Sequence, residues 1–163
     1  MIYDIKFEPF EEEEIPLLTL IMKRAFDYDS KIHLGKDEGG PDGYSDGGFL
    51  RKYGFDDKST QFKIILDNQI IGAVILWLND KTNENYLGNL FIDVTLQNKG
   101  IGLAVWNKIE DMYPNTKVWR TETPAFSLRN HNFYVNKCGF HVVKIGNAMN
   151  TEHGSYYLEK EMK

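Results

Sequence analysis

The chain has 163 residues, of which 42% are hydrophobic and 26% charged. That length and balance suit one globular core and are not the profile of a disordered chain. Its single cysteine, Cys138, excludes an internal disulfide and a cysteine-based zinc site. The net charge of −5 disfavours a nucleic-acid partner, which needs a clustered basic surface. It suits a cationic acceptor and equally serves solubility alone.

In chain order, Met1–Glu8 alternates as a strand does and carries no basic-then-apolar leader. The longest apolar run, Ile70–Leu78, is too short to span a bilayer, so a cytoplasmic location without membrane contact is expected. Glu11–Glu14 open a predicted helix, with carboxylates at the positive end of its dipole. Ile15, Leu18, Met22 and Ala25 continue it as one apolar stripe. From Ser30 to Gly48 the pattern breaks into a Gly- and Asp-rich loop, with a short helical piece expected around Phe49–Tyr53. Gln61–Leu66 and Gln69–Leu78 read as strands joined by the turn pair Asp67-Asn68, and Tyr86–Val94 as a further strand. Gly100–Tyr113 reads as a helix stopped by Pro114, Lys117–Thr121 as a strand and Ser127–Lys137 as a helix. Phe140–Ile145 and Ser155–Glu161 are closing strands. The order is roughly β-α-(α)-β-β-β-α-β-α-β-β, an α/β arrangement in one domain, residues 1–163.

The most informative segment runs from Leu90 through Asp93 into Gln97-Asn98-Lys99-Gly100-Ile101-Gly102 and the helix beyond. A strand entering a glycine turn that opens a helix gathers unpaired N–H groups and a positive dipole end at one point, which is an anion site. Without Cβ atoms, Gly100 and Gly102 let a pyrophosphate approach the backbone. The spacing fits neither a P-loop nor a dinucleotide-binding turn.

This Q-x-x-G-x-G run resembles the acetyl-CoA pyrophosphate loop of the GNAT N-acetyltransferase superfamily. Further on, Ser127-Leu128-Arg129-Asn130-His131-Asn132-Phe133-Tyr134 and Cys138-Gly139-Phe140 resemble that family's second signature, and Ile70-Ile71-Gly72-Ala73 its central strand opening. The resemblance covers residues 60–146. Two details depart from the pattern: Ser127 stands where many members carry Asn, and the Tyr134-to-Gly139 interval is one residue longer than the commonest version.

The resemblance implies a mixed, mostly antiparallel central sheet of six to seven strands flanked by about four helices, splayed between the fourth and fifth strands to admit acetyl-CoA. Backbone of Ile92 and Val94 would pair with the pantetheine arm. Gln97, Asn98, Lys99, Gly100, Ile101 and Gly102 would hold the pyrophosphate, with Ser127 and Asn130 as side-chain contacts. It further implies acetyl transfer to a small-molecule or peptide amine by direct attack and allows a homodimer. No metal is expected, because the spacing of Asp37, Glu38, Asp42 and Asp46 does not match a calcium loop. Tyr134, a core aromatic on its residues alone, becomes the proton donor to the leaving thiolate. Glu122, just past the fifth predicted strand, is the candidate base or a solvated loop carboxylate. Asp93 reads as a turn or capping residue, Cys138 as a small buried residue, and Trp77, Trp106 and Trp119 as core or interface. His131 is expected to face solvent, while His33 in the acidic loop region stays undecided. The loop of residues 30–50, with Asp37, Glu38, Asp42 and Asp46, is either the acceptor side or a solvated loop. A CoA-binding module without turnover and a domain that binds no CoA are the rival readings.

Overall fold

The computed structural model describes residues 3–147, 149–150 and 152–163; the first two residues of the predicted opening strand lie outside these. In chain order the elements are β1 (Ile5–Glu8), α1 (Ile15–Leu34), α2 (Gly48–Gly54), β2 (Ser59–Leu66), β3 (Gln69–Trp77), β4 (Glu84–Ile92), α3 (Ile101–Met112), β5 (Val118–Pro124), α4 (Leu128–His131), β6 (His141–Gly146) and β7 (Ser155–Glu161). The strands form one sheet in the order β1-β2-β3-β4-β5-β7-β6. Every neighbouring pair is antiparallel except β4 and β5, which run parallel. The expected α/β fold, a mostly antiparallel sheet with four helices, is what the chain forms.

Local chemistry accounts for the elements. Asp67 and Asn68 both take positive φ, 51° and 65°, which builds the two-residue turn between β2 and β3. The apolar stripe of α1 buries Ile15, Leu18, Met22 and Ala25 against β3, β4 and α2, with Phe10 and Leu50. On the other face α3 and the segment after β5 cover a second cluster around Trp106, Trp119 and Phe140. The Trp106 and Trp119 rings meet edge-on at 5.2 Å between centroids, and both are fully buried. Trp77 is half-buried against the first cluster.

Four expectations change. Helix α1 continues through Ser30 to Leu34 and ends at Gly35, whose φ of 69° supplies a left-handed cap, so the loop begins later than its composition implied. That loop is tied down: Asp27 accepts from the Tyr44 hydroxyl (2.6 Å) and from the amide of Gly39, and Ser30 Oγ donates to the Gly39 carbonyl. Burial opposes ionisation of Asp27, but donors from Lys23, Tyr44 and Gly39 outweigh it and hold its pKa below the ordinary value. Strand β5 extends to Pro124, so Glu122 lies within a strand and not beyond one. The helix predicted over residues 127–137 is α-helical only to His131 and becomes π-helical over Asn132–Lys137. The wider turn, with the Cys138 amide bonded to the Phe133 carbonyl at 2.9 Å, absorbs the extra residue between Tyr134 and Gly139.

Candidate active site

The site begins where the sheet parts. Strands β4 and β5 pair only from Glu84↔Val118 to Leu87↔Thr121. The Thr121 hydroxyl closes this short ladder by donating to the Leu87 carbonyl at 2.9 Å. Directly after Leu87 the pairing of β4 with β3 shifts register, leaving Gly88 as an extra residue. A Cβ at Gly88 would lie 2.7 Å from Trp77 Nε1, so only glycine fits the bulge against that ring. The bulge bends β4 away from β5. Beyond it, the edge of Gly88–Ile92 that would have faced β5 has no ladder partner, an arrangement that suits an amide-rich ligand.

Past this open edge, Asp93 accepts from the amide and hydroxyl of Thr95, a capping role in line with the turn reading. The chain then enters the glycine turn. Asn98 and Gly100 sit at φ 62° and 79°, and Gly100 is the left-handed N-cap of α3. No side chain caps this helix, so amides of its first turn point outward with the positive dipole end. A groove of 460 Å³ connects the open β4 edge to this turn. Ile92, Gln97, Asn98, Gly100, Ile101, Gly102 and Asn130 all line it. Val94 instead packs into the cluster beneath α1, and Lys99 is exposed, with its carbonyl receiving the Tyr3 hydroxyl.

Tyr134 lines the same groove on the π-helical segment. It is 8% exposed, its ring meeting Phe133 and Phe140 edge-on at 5.1 and 5.6 Å. Its hydroxyl has no hydrogen-bond partner among the described residues and opens onto the groove. Burial, helped by nearby Cys138 and Tyr86, pushes its pKa well above the ordinary phenol value, so it stays protonated at neutral pH. Burial also pushes the Cys138 thiol up to about 12, which leaves it a poor nucleophile.

Glu122 is not among the residues lining the groove. On β5 it alternates with Thr121 and Thr123, which are buried on the α3 side, so it faces the opposite side of the sheet, exposed. It pairs with Tyr157 of β7, in the part of β5 that has lost β4. Tyr86 faces the same side; its pKa is raised by burial first and then by the charges of Glu122 and Tyr157. Tyr86 and Glu122 thus approach the gap from one face of the sheet, Tyr134 from the other.

Ser127 does not reach the groove either. It is fully buried as the N-cap of α4, accepting from the Asn130 amide and donating to Asp29 Oδ1 at 3.1 Å. Asn130 spends its own amide group on Thr123 Oγ1 at 3.1 Å. His131 is half-buried, not solvent-facing: it stacks on Tyr156 at 4.3 Å, with Nε2 3.1 Å from the Pro124 carbonyl. His33 belongs to the last turn of α1, where Nε2 accepts from the Arg129 amide at 3.4 Å.

Several groove residues were not anticipated, among them Phe26, Asp29, Arg129 and Lys137. The Arg129 guanidinium reaches the Gln97 side chain and lies 5.5 Å from the centre of the Tyr28 ring, placing a cation beside the glycine turn. One signal was available: Asp29 lies one helical turn beyond Ala25 on the apolar stripe of α1, where a carboxylate is out of place.

The same fold is found in known proteins. An acetyltransferase from Thermus thermophilus superposes with a TM-score of 0.75 at 16% identity, over 97% of both chains. The PaiA N-acetyltransferase from Thermoplasma acidophilum, solved in complex with coenzyme A, does so at 0.72 and 14%, over 98% of this chain and 99% of that one. At such identities the likeness is one of fold. An uncharacterized protein from Bacillus subtilis (strain 168), YrkN, is 43% identical over 86 residues, which is 53% of this chain and 46% of that protein's length. The model of the acetyltransferase (GNAT) family matches residues 9–140, a span that holds the open β4 edge, the glycine turn and Tyr134, and the chain belongs to that family.

Proposed function

We propose that this chain transfers the acetyl group of acetyl-CoA to an amine of a small-molecule or peptide acceptor, by direct attack in a ternary complex. The observation that carries the reading is the continuity of one groove from the unpaired β4 edge, past the free Tyr134 hydroxyl, to the uncapped start of α3. Acetyl-CoA supplies an acyl group already activated as a thioester. The backbone edge at Ile92 offers hydrogen bonds to the pantetheine arm, and the Gly100–Gly102 turn with Arg129 offers donors and positive charge to the diphosphate. A backbone N–H on the open edge stabilises the oxyanion, an effect worth ~3 kcal/mol. Tyr134, kept protonated by its burial, donates to the departing thiolate. Glu122, on the other face of the gap, takes the proton from the acceptor ammonium, directly or through water.

The exposure of Glu122 outside the groove favours a second reading, a CoA-binding module without turnover. Both are tested by thermal unfolding with acetyl-CoA, CoA and ATP in parallel, followed by thiol release over a panel of amines. Ligand at ~100 times Kd adds ~2.7 kcal/mol to the folded state, a shift of several degrees. Shifts with acetyl-CoA and CoA but not ATP, together with amine-dependent thiol release, support the enzyme. Shifts without release support the module, and no shift refutes both.

A further inference from the structure

We propose that Asp29 of α1 is a recognition residue for the cofactor, its free carboxylate oxygen accepting a hydrogen bond from the pantetheine arm. This rests on the acyl-CoA reading above and concerns a helix that reading does not use. The Asp29 side chain is only 6% exposed, yet it lines the groove. All its internal contacts converge on one oxygen. Oδ1 accepts from Ser127 Oγ at 3.1 Å and lies 3.4 Å from both Arg129 Nε and His33 Nε2. Oδ2 has no hydrogen-bond partner among the described residues, and the residue that carries it lines the groove.

Carboxylate chemistry decides what can lie there. A buried carboxylate repels phosphate and wants an N–H or O–H donor. The amide N–H groups and hydroxyl of the pantetheine arm are such donors and carry no charge. The adenine and ribose, which also offer uncharged donors, lie beyond the diphosphate from the open β4 edge that shares the groove with Asp29. The diphosphate belongs at the uncapped start of α3, near Lys137, and Arg129, which contacts both Asp29 and the Gln97 side chain, stands between the two. Asp29 therefore both contacts the arm and orients the ligand along the groove. With Oδ1 held by the Ser127 hydroxyl beside the Arg129 guanidinium, Asp29→Asn keeps its oxygen there and turns its NH₂ toward the groove. An acceptor becomes a donor at one atom while the internal network is retained.

The test is calorimetric titration of wild type, Asp29→Asn and Ser127→Ala with CoA and with adenosine 3′-phosphate 5′-diphosphate, which is CoA without its pantetheine arm. The expected result is an Asp29→Asn Kd for CoA raised about tenfold, with the fragment within about twofold of wild type. Ser127→Ala, which leaves Oδ2 in place, should bind CoA within about threefold. Equal weakening of both ligands by Asp29→Asn overturns the proposal, because Asp29 would then act only through Arg129 and α4. No weakening overturns it as well. If Asp29→Asn does not melt cooperatively, Asp29→Glu keeps the charge and moves the oxygens by one methylene, and the same selective loss of CoA affinity is expected. A wild type that binds neither ligand refutes the acyl-CoA reading itself.

Discussion

Tyr134→Phe is the sharpest probe of the proposed chemistry, because the proton-donor role rests on the hydroxyl and the packing rests on the ring. The substitution removes one hydroxyl and leaves the ring in its edge-on contacts with Phe133 and Phe140. A buried hydroxyl with an internal partner is worth about 1 kcal/mol, but this one has none among the described residues, so stability should change by less than about 0.5 kcal/mol. Loss of a general acid costs about 10²–10⁴ in kcat. That is about 2.7–5.4 kcal/mol of barrier. Thiol release at saturating acetyl-CoA measures kcat, titration calorimetry the CoA affinity, and a thermal melt the fold. The expected triad is a collapsed kcat, a Kd within about twofold and an unshifted Tm. An unchanged kcat would refute the assignment of Tyr134 as proton donor. A Tm lowered by several degrees would show that the hydroxyl is structural after all.

The remaining predictions test the other parts of the site. Glu122→Gln should lower kcat by at least about tenfold, with stability within about 0.5 kcal/mol because the side chain is exposed; an unaltered kcat would remove Glu122 as the base. Gly102→Val brings a Cβ to 3.1 Å of the Phe133 ring and fills the approach to the turn, so CoA affinity should fall at least about tenfold. Titration at matched stability checks it, and retained affinity would place the diphosphate elsewhere. Cys138, raised by burial from 9.0 to about 12, holds its proton in the folded state after the unfolded chain has lost it. Its contribution is therefore complete below pH 9 and declines as pH rises toward 12, by about 1.4 kcal/mol per unit. Cys138→Ala should make the fall of denaturant-measured stability over that window shallower, the tyrosines raised by burial adding their own decline above pH 10, whereas an identical slope would contradict the burial argument.

The amino-acid sequence by itself determined the parts that depend on near neighbours. The Asp67-Asn68 turn, the apolar stripe of α1 and the Gln97–Gly102 turn are all properties of a few consecutive residues, set by which side chains tolerate positive φ and by helical spacing. The composition of residues 30–48 misled over its first turn, because burial of Asp29 and Ser30 within the last turns of α1 outweighed the local signals for a loop. Only the tertiary structure decided which side chains meet at the gap. Asp29 and Ser127 stand 98 residues apart and are joined by the fold of α1 over the end of β5. The parting of β4 from β5 arises from a register shift at Gly88 against Trp77, which no local pattern announces. The burial that keeps Tyr134 protonated, and the alternation that sends Glu122 to the opposite face, follow from long-range strand pairing and the packing it imposes.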